Sequence, residues 1–400
     1  MTAPVGSWIA PAASAGEDAM APLSLYIHWP FCVTKCPYCD FNSHVRAQWD
    51  DALWRQALLA DLAHEAAQTP GHRLVSIFFG GGTPSLMPPQ TVAALIEAAH
   101  RLWPATDRLE VSLEANPSSA EAARFRDLAA AGINRISLGL QALDDAALRL
   151  LGRPHDLADG LAAVDAAQAA TSRVSIDLIH SRPGQMPDAW RRELGAALAL
   201  GTEHLSAYQL TIEPGTRFAA LHAKGLLELP HEDDAAEMFA MTAERCTAFG
   251  LLPYEISNHA RAGAECRHNL QYWRYGAYVG VGPGAHGRRQ GQATRRHRKP
   301  EAFLAAVRSE RHGIEAEVAV PPQEAAAEAL LMGLRLAEGI DPARFAAATG
   351  VPLEAVIDRR ARTRLESLGL LAPGPRLAAT AAGRPVLDSL IRDLWNPSQA

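Results

Sequence analysis

LYIHWPFCVTKCPYCDF, residues 25–41, carries an apolar, β-prone run straight into a C-x3-C-x2-C cluster made by Cys32, Cys36 and Cys39. Three thiolates in one tight loop can grip three corners of a [4Fe–4S] cube and leave the fourth iron open. An open coordination site is what substrate chemistry requires, since a fully ligated cluster only passes electrons. The competing reading is a zinc knuckle completed by His28 or His44, although zinc takes four ligands and paired C-x2-C elements are its commoner spacing. Five cysteines in 400 residues make no disulfide framework. Three of them within eight residues point to a reducing compartment and a metal or redox site.

Outward from this stretch the chain is rhythmic as far as Pro214. Apolar runs with β propensity recur at Leu23–His28, Leu74–Phe79, Leu109–Glu114, Ile133–Leu138, Arg173–Leu178 and His204–Leu210. Ala/Leu-rich stretches of helical spacing lie between them, including 52–67, 91–102, 120–131 and 188–200. Strands alternating with helices indicate βαβ units, a parallel sheet and an α/β fold. Six units with right-handed crossovers predict a partial (β/α)6 barrel over residues 22–230.

Beyond it the rhythm changes. A barrel-associated segment, 231–320, is expected to hold an amphipathic helix over 233–249, a short strand over 252–257 and an exposed basic loop at 288–300. That loop reads as solvated surface more than nucleic-acid contact, because no aromatics interleave with its charge. Residues 321–400 read as a mainly helical C-terminal domain, with helices at 323–336, 342–349 and 353–368. A strand–turn–strand–helix of winged-helix type follows, with few basic residues, so packing or docking fits it better than DNA. Residues 1–21 lack a basic start and a continuous apolar stretch, and read as a disordered lead-in. The formal net charge is −6, which leaves no global basic field for nucleic acid or an anionic membrane. No apolar run approaches the ~18 residues of a membrane span. A cytoplasmic location is expected.

The cluster stretch resembles the radical S-adenosylmethionine (SAM) superfamily, in the branch that contains oxygen-independent coproporphyrinogen III dehydrogenase. The resemblance runs from Leu23 to Trp395. It implies that the open iron is chelated by SAM, and that SAM is met at the C-terminal strand ends, where barrel sites are built. On matching positions these are the turn Gly80-Gly81-Gly82-Thr83-Pro84, Glu114, Gln141, Arg153 and Asp177. Tyr26, Tyr38 (through its main chain) and Thr211 complete the implied set.

Two departures from that branch stand out. Its fifth strand commonly ends Asp-Leu-Ile-Tyr-Gly-Leu-Pro, whereas here it ends Asp177-Leu-Ile-His180-Ser181-Arg182-Pro183. The dehydrogenases also carry a fourth cysteine two residues past the cluster, where this chain has Phe41, which offers no thiol. The phenylalanine accompanies His268-Asn269-Leu270-Gln271-Tyr272-Trp273, and the pairing resembles the HemW family of haem chaperones. That resemblance implies haem as ligand, with His268 as axial ligand in a loop and Asn269, Tyr272 and Trp273 around the ring. A neutral imidazole binds haem iron and aromatics can cover a porphyrin face. The plain alternative is that Tyr272 and Trp273 pack against the barrel while His268 caps a turn. Cys266, two residues before His268, is either an idle buried thiol or a contributor to haem attachment. The family further implies bacterioferritin as haem donor, a membrane respiratory cytochrome subunit as acceptor through transient contact, and a homodimer. Two functions of different class follow: haem delivery, or oxidative decarboxylation of coproporphyrinogen III.

Overall fold

The computed structural model describes residues 20–396. Residues 1–19 of the expected lead-in lie outside them, and Ala21 already opens the first strand. The six expected strands form: β1 (Ala21–Trp29), β2 (His72–Gly81), β3 (Ala105–Ala115), β4 (Arg135–Gln141), β5 (Arg173–His180) and β6 (His204–Gln209). They pair in parallel and in chain order. The crossovers are α1 (Asp51–Gln68), α2 (Pro89–Leu102), α3 (Ser119–Ala122) with α4 (Phe125–Ala130), α5 (Asp145–Leu150) with α6 (Leu157–Ala170), and α7 (Pro187–Ala199). This is the partial barrel that the alternation predicted.

Side chains alternate between the two faces of a strand. Leu23, Leu25 and Ile27 on β1, Ile77 and Phe79 on β2, and their counterparts up to Leu205 and Ala207 on β6 join one core beneath the helices. The other face is polar. Each of the six strands turns one serine inward: Ser24, Ser76, Ser112, Ser137, Ser175 and Ser206. Glu110, Glu114, Arg135, Asp177 and His204 share that face. Parallel strands buried on both sides are ordinarily apolar throughout, so this inner face is built around polar chemistry.

After α8 (Arg217–His222) and α9 (Glu232–Ala248), the sheet is extended on both flanks. On the β6 side come β7 (Leu252–Pro253) and β8 (Asn258–Ala260), where the sequence suggested one strand. α10 (Arg267–Trp273) leads to β9 (Ala277–Val281), which pairs parallel to β1, and then to β10 (His286–Arg289) and β11 (Gln292–Arg296). α11 (Pro300–Glu310) and β12 (Ile314–Ala319) finish that flank. The order is β12-β11-β10-β9-β1-β2-β3-β4-β5-β6-β8-β7, and its two outer strands do not pair, so the barrel stays open.

The basic run 288–300 is not the exposed loop expected from its charge. It supplies β10 and β11, whose inward arginines meet acids one helical turn apart on α1. Arg296, fully buried, reaches Asp61 (3.2 Å) and Glu65 (2.5 Å). Arg289 bonds Glu65 (2.7 Å) and Glu317 (3.0 Å). Asp61 also accepts the N–H groups of Gly282 and Gly313, both at 3.0 Å. The knot ties α1 to the whole added flank.

The C-terminal domain holds α12 (Pro322–Gly333), α13 (Pro342–Thr349), α14 (Leu353–Val356) and α15 (Arg359–Ser367) around its own core. The single helix expected over 353–368 breaks at Ile357, which bridges to Trp395, while Asp358 caps the helix that follows. β13 (Leu371–Ala372) pairs antiparallel with β14 (Ala378–Ala379), and α16 (Leu387–Leu394) closes the domain in the expected strand–turn–strand–helix.

Arg296→Leu would leave Asp61 and Glu65 buried without their central counter-charge. Breaking such a pair from one side costs about 3–5 kcal/mol, so denaturant unfolding should register a loss of that size. Arg295→Ala, at an exposed neighbour, should change stability by less than about 0.5 kcal/mol. Equal effects would show the knot to be incidental.

Candidate functional site

The cysteine loop leaves β1 through Pro30, and its ends are fixed on both sides. Phe31–Cys32 pairs with His44–Val45, and Phe31 stacks on Trp49 at 5.1 Å between ring centres. His28 Nε2 lies 2.9 Å from the Asn42 carbonyl, while the Asn42 amide donates to the carbonyls of Pro283 and Arg298, each at 2.9 Å. Gly81 and Gly282 make room for this packing. A Cβ on Gly81 would come within 2.5 Å of the His28 ring, and one on Gly282 within 2.4 Å of the His28 carbonyl.

Cys32, Cys36 and Cys39 are free thiols, each half-buried. The Thr83 hydroxyl donates to Cys32 Sγ and Arg153 Nη1 to Cys36 Sγ, both at 3.4 Å. Burial raises the pKa of Cys32 and of Cys39, so these thiols hold their protons until a metal replaces them. Among the described residues no three His, Cys, Asp or Glu side chains already stand gathered about one ion. The donor set nonetheless fits an iron–sulfur cluster: three thiols on one pinned loop, with a guanidinium and a hydroxyl aimed at the sulfurs. Hydrogen bonds to cluster sulfurs are one of the protein's means of tuning it.

Around this loop the strand ends present the expected residues. Glu114 accepts the Gly81 N–H at 3.2 Å. The N–H groups of Gly82 and Thr83 are taken by the carbonyls of Trp29 (2.7 Å) and Phe31 (2.8 Å). The N–H groups of Gly81, Gly82 and Thr83 are therefore engaged, which leaves the turn's oxygens for an ammonium group. Asp177 receives Ser137 Oγ at 3.1–3.2 Å. Burial first, then the neighbouring Asp177, pushes Glu114 up to about 8, and burial raises Asp177 to about 6. Two facing carboxylates that resist ionising together suit a ligand that brings a positive charge, as a sulfonium or ammonium does. Gln141 takes a left-handed backbone at φ +69°. Arg153 spans the site, donating to Asn116 Oδ1 (2.6 Å) and the Gly139 carbonyl (2.9 Å) as well as to Cys36. Its Nε is buried without a partner among the described residues. Tyr26 lies inside the barrel with its hydroxyl 3.0 Å from His28 Nδ1. The Tyr38 ring packs toward Phe218 at 6.1 Å. Thr211 stands exposed at the rim.

Asn116 escaped the sequence reading. It joins Arg153 to Thr83, bonding the hydroxyl at 3.1 Å, and its signal was its place in the strand-end run Glu114-Ala-Asn-Pro.

The His-Asn-x-x-Tyr-Trp motif forms α10, not a loop, and its residues serve two sides. His268 is half-buried in the barrel with its ring on Phe78 (4.9 Å) and near Tyr26 (6.1 Å). Its Nδ1 is 3.3 Å from Ser76 Oγ, and burial lowers its pKa to about 4. Tyr272 and Trp273 lie against the core of the C-terminal domain. Arg335 sits 4.6 Å above Trp273, and Arg288 faces Tyr272 at 5.9 Å. Asn269 is half-buried beside them. Cys266 is buried against Glu110, its thiol pushed up to about 12 by that burial. Its Sγ donates to Glu110 Oε1 at 3.5 Å.

Family models match the radical SAM superfamily over residues 26–194 and the HemN C-terminal domain over residues 320–386. The chain is 40% identical over 338 residues to "Radical S-adenosyl methionine domain-containing protein 1, mitochondrial" of Bos taurus, covering 81% of this chain and 76% of that one. It is 38% identical over 348 residues to "Heme chaperone HemW" of Haemophilus influenzae, covering 84% and 88%. The solved structure of coproporphyrinogen III oxidase (HemN) from Escherichia coli, described as a radical SAM enzyme, superposes with a TM-score of 0.78 at 20% identity over 94% of this chain and 90% of that one.

Two expectations follow from the geometry. Anaerobically reconstituted protein should hold about four irons and four sulfides, and serine at Cys32, Cys36 or Cys39 should abolish them; stoichiometric zinc without iron would overturn the cluster. In the apo protein, Glu114 keeps its proton when folded up to pH about 8 but loses it near its ordinary value when unfolded. Unfolding therefore releases a proton between these values, and stability falls as pH rises through that window. Glu114→Gln should raise Tm by several degrees at pH 8, with the gap closing toward pH 5. A gap independent of pH would contradict the assignment.

Proposed function

The chain belongs to the radical SAM superfamily and, within it, to the family of the heme chaperone HemW, and from that premise we propose that it binds haem and delivers it to acceptor haemoproteins. The observation that carries the reading is the chain's own chemistry at two places. Phe41, largely exposed, stands where the porphyrinogen-oxidising branch has a cysteine. His268 stands neutral, on a helix set into the barrel. Cys32, Cys36 and Cys39 would hold a [4Fe–4S] cluster, and the Gly81–Thr83 turn, Glu114, Gln141, Arg153 and Asp177 would hold SAM, a pair that supplies one-electron chemistry when bound.

The cargo end is built from His268. Ser76 occupies Nδ1 and leaves Nε2 for iron, the arrangement by which a second partner orients a metal-binding histidine. Keeping the imidazole neutral at pH 7 makes it a ready ligand. Phe78 and Tyr26 lie against the imidazole, so the aromatic surface next to the ligand comes from β1 and β2. Tyr272 and Trp273, with Asn269, support the helix from the other side and border the site. One neutral ligand holds haem firmly enough to collect it and loosely enough to pass it on.

The same reading places the protein in the cytoplasm, with a donor such as bacterioferritin and a respiratory cytochrome subunit in the membrane as acceptor. A second copy of the chain is a further partner. No helix among the described residues is long and apolar enough to cross a membrane. Contact with the membrane acceptor is transient in this reading. The alternative, oxygen-independent coproporphyrinogen III dehydrogenase, rests on the shared fold and is opposed by Phe41.

His268→Ala should lose most haem binding, read from the Soret band, while keeping its iron–sulfur content. Cys32→Ser should do the reverse. Undiminished haem binding by His268→Ala, or conversion of coproporphyrinogen III by the parent at enzyme-like rates, would replace this reading with the dehydrogenase.

A further inference from the structure

Asn116 is the middle of a hydrogen-bonded arc that joins two of the cluster thiols. It stands one residue past the end of β3. Its N–H donates to Glu121 Oε2 at 2.9 Å, and that carboxylate also takes the Ser85 hydroxyl. The backbone of Asn116 is thus held independently of the cysteine loop. From Cys32 the arc runs through Thr83 (3.4 Å), Asn116 (3.1 Å) and Arg153 (2.6 Å) to Cys36 (3.4 Å). Its two ends lie on one loop, and its middle hangs from segments that follow β2, β3 and β4.

Donor and acceptor capacity leaves this arc one direction. A guanidinium has only N–H groups to offer, so the Asn116 atom that faces Arg153 Nη2 is its oxygen. The Asn116 amide nitrogen then faces Thr83 and donates to the hydroxyl oxygen. A hydroxyl has a single proton, and that of Thr83 goes to Cys32 Sγ. Hydrogen bonds in such a chain polarise one another. Arg153 also sends Nη1 directly to Cys36 Sγ, while a bond from Nη2 to the Gly139 carbonyl at 2.9 Å fixes the guanidinium. One cation therefore serves two sulfurs, one directly and one through two neutral groups.

We infer that Asn116 is a positioning residue that fixes the polarity of this arc and so sets the reduction potential of the cluster on Cys32, Cys36 and Cys39. The inference rests on the iron–sulfur reading of those cysteines and goes beyond the SAM contact that the resemblance gives Arg153. A cluster gains negative charge on reduction, and N–H and O–H groups aimed at its sulfurs stabilise the more negative state. Both ends of the arc raise the potential, and Asn116 decides whether the Cys32 end does so. Asparagine and aspartate share a shape but act oppositely here. A carboxylate has no proton to give. Asn116→Asp would therefore draw the Thr83 hydroxyl toward itself and away from Cys32, while still accepting from Arg153.

The test is an anaerobic redox titration of the reconstituted full chain without SAM, followed by visible absorption and electron paramagnetic resonance. Thr83→Val, which keeps the shape and removes the hydroxyl, should disfavour reduction about tenfold, a fall of 59 mV for one electron. Thr83→Ser should stay within about twofold of the parent. Asn116→Asp should lower the potential at least as far as Thr83→Val. Placed on top of Thr83→Val, Asn116→Asp should lose at least half of its effect, because its route through the hydroxyl is gone. Iron and sulfide contents should match the parent's throughout. Fully additive shifts, or an Asn116→Asp potential equal to the parent's, overturn the inference. A Thr83→Val potential equal to the parent's overturns it too, whether or not the aspartate variant folds. A parent that takes up no iron–sulfur cluster would instead remove the cluster reading, and the arc's role with it.

Discussion

One buried carboxylate governs where the functional parts stand. Glu110 lies on the inner face of β3, almost wholly shielded, and pairs with Arg135 at 3.4 Å and Arg173 at 3.1 Å. Its other oxygen receives the N–H groups of Arg267 (2.9 Å) and His268 (3.4 Å) at the start of α10. A negative charge is stabilising at a helix N-terminus, and there the helix's unpaired N–H groups need acceptors. Glu110 therefore fixes the helix by its first turn and sets His268 over Ser76 and Phe78. Without it the motif would have no reason to enter the barrel.

The same logic extends over the inner face. A polar group taken out of water without a partner costs several kcal/mol, so the inward serines are largely spoken for. Ser24 and Ser76 bond each other at 2.6 Å, Ser175 bonds His204 at 2.6 Å, and Ser137 serves Asp177. Ser112 alone of the six keeps a buried hydroxyl without a partner among the described residues. Small hydroxyls satisfy neighbouring groups while leaving room that larger side chains would fill. The cluster loop, the carboxylate pair and His268 then occupy separate parts of one lumen, with Tyr26 and His28 between them.

Much of this was legible in the chain. Recurring apolar, β-prone runs located all six strands, and the C-x3-C-x2-C spacing located the cluster loop. Glu114, Gln141 and Asp177 stand at strand ends, as the family resemblance implies, because barrel strands deliver their last inward residues to one end. The failures share a cause. Arg289 and Arg296 looked solvent-exposed because a charge run says nothing of acids on a helix far earlier in sequence. Asp61 and Glu65 are that answer, and tertiary pairing overrode composition. His268 was expected on a loop because flanking glycines mark turns, yet Glu110 and the C-terminal domain supply the contacts that make those seven residues helical. Tyr272 and Trp273 lie against the C-terminal core rather than the barrel, because an aromatic pair in sequence does not reveal which of two neighbouring cores it serves.

The account turns on His268 as the iron ligand, and chemical rescue tests it most directly. His268→Gly loaded with haem should lack the parent's Soret band, and added imidazole should restore it by entering the space the side chain vacated. A His268→Gly spectrum identical to the parent's without imidazole, or one that imidazole leaves unchanged, would contradict the account.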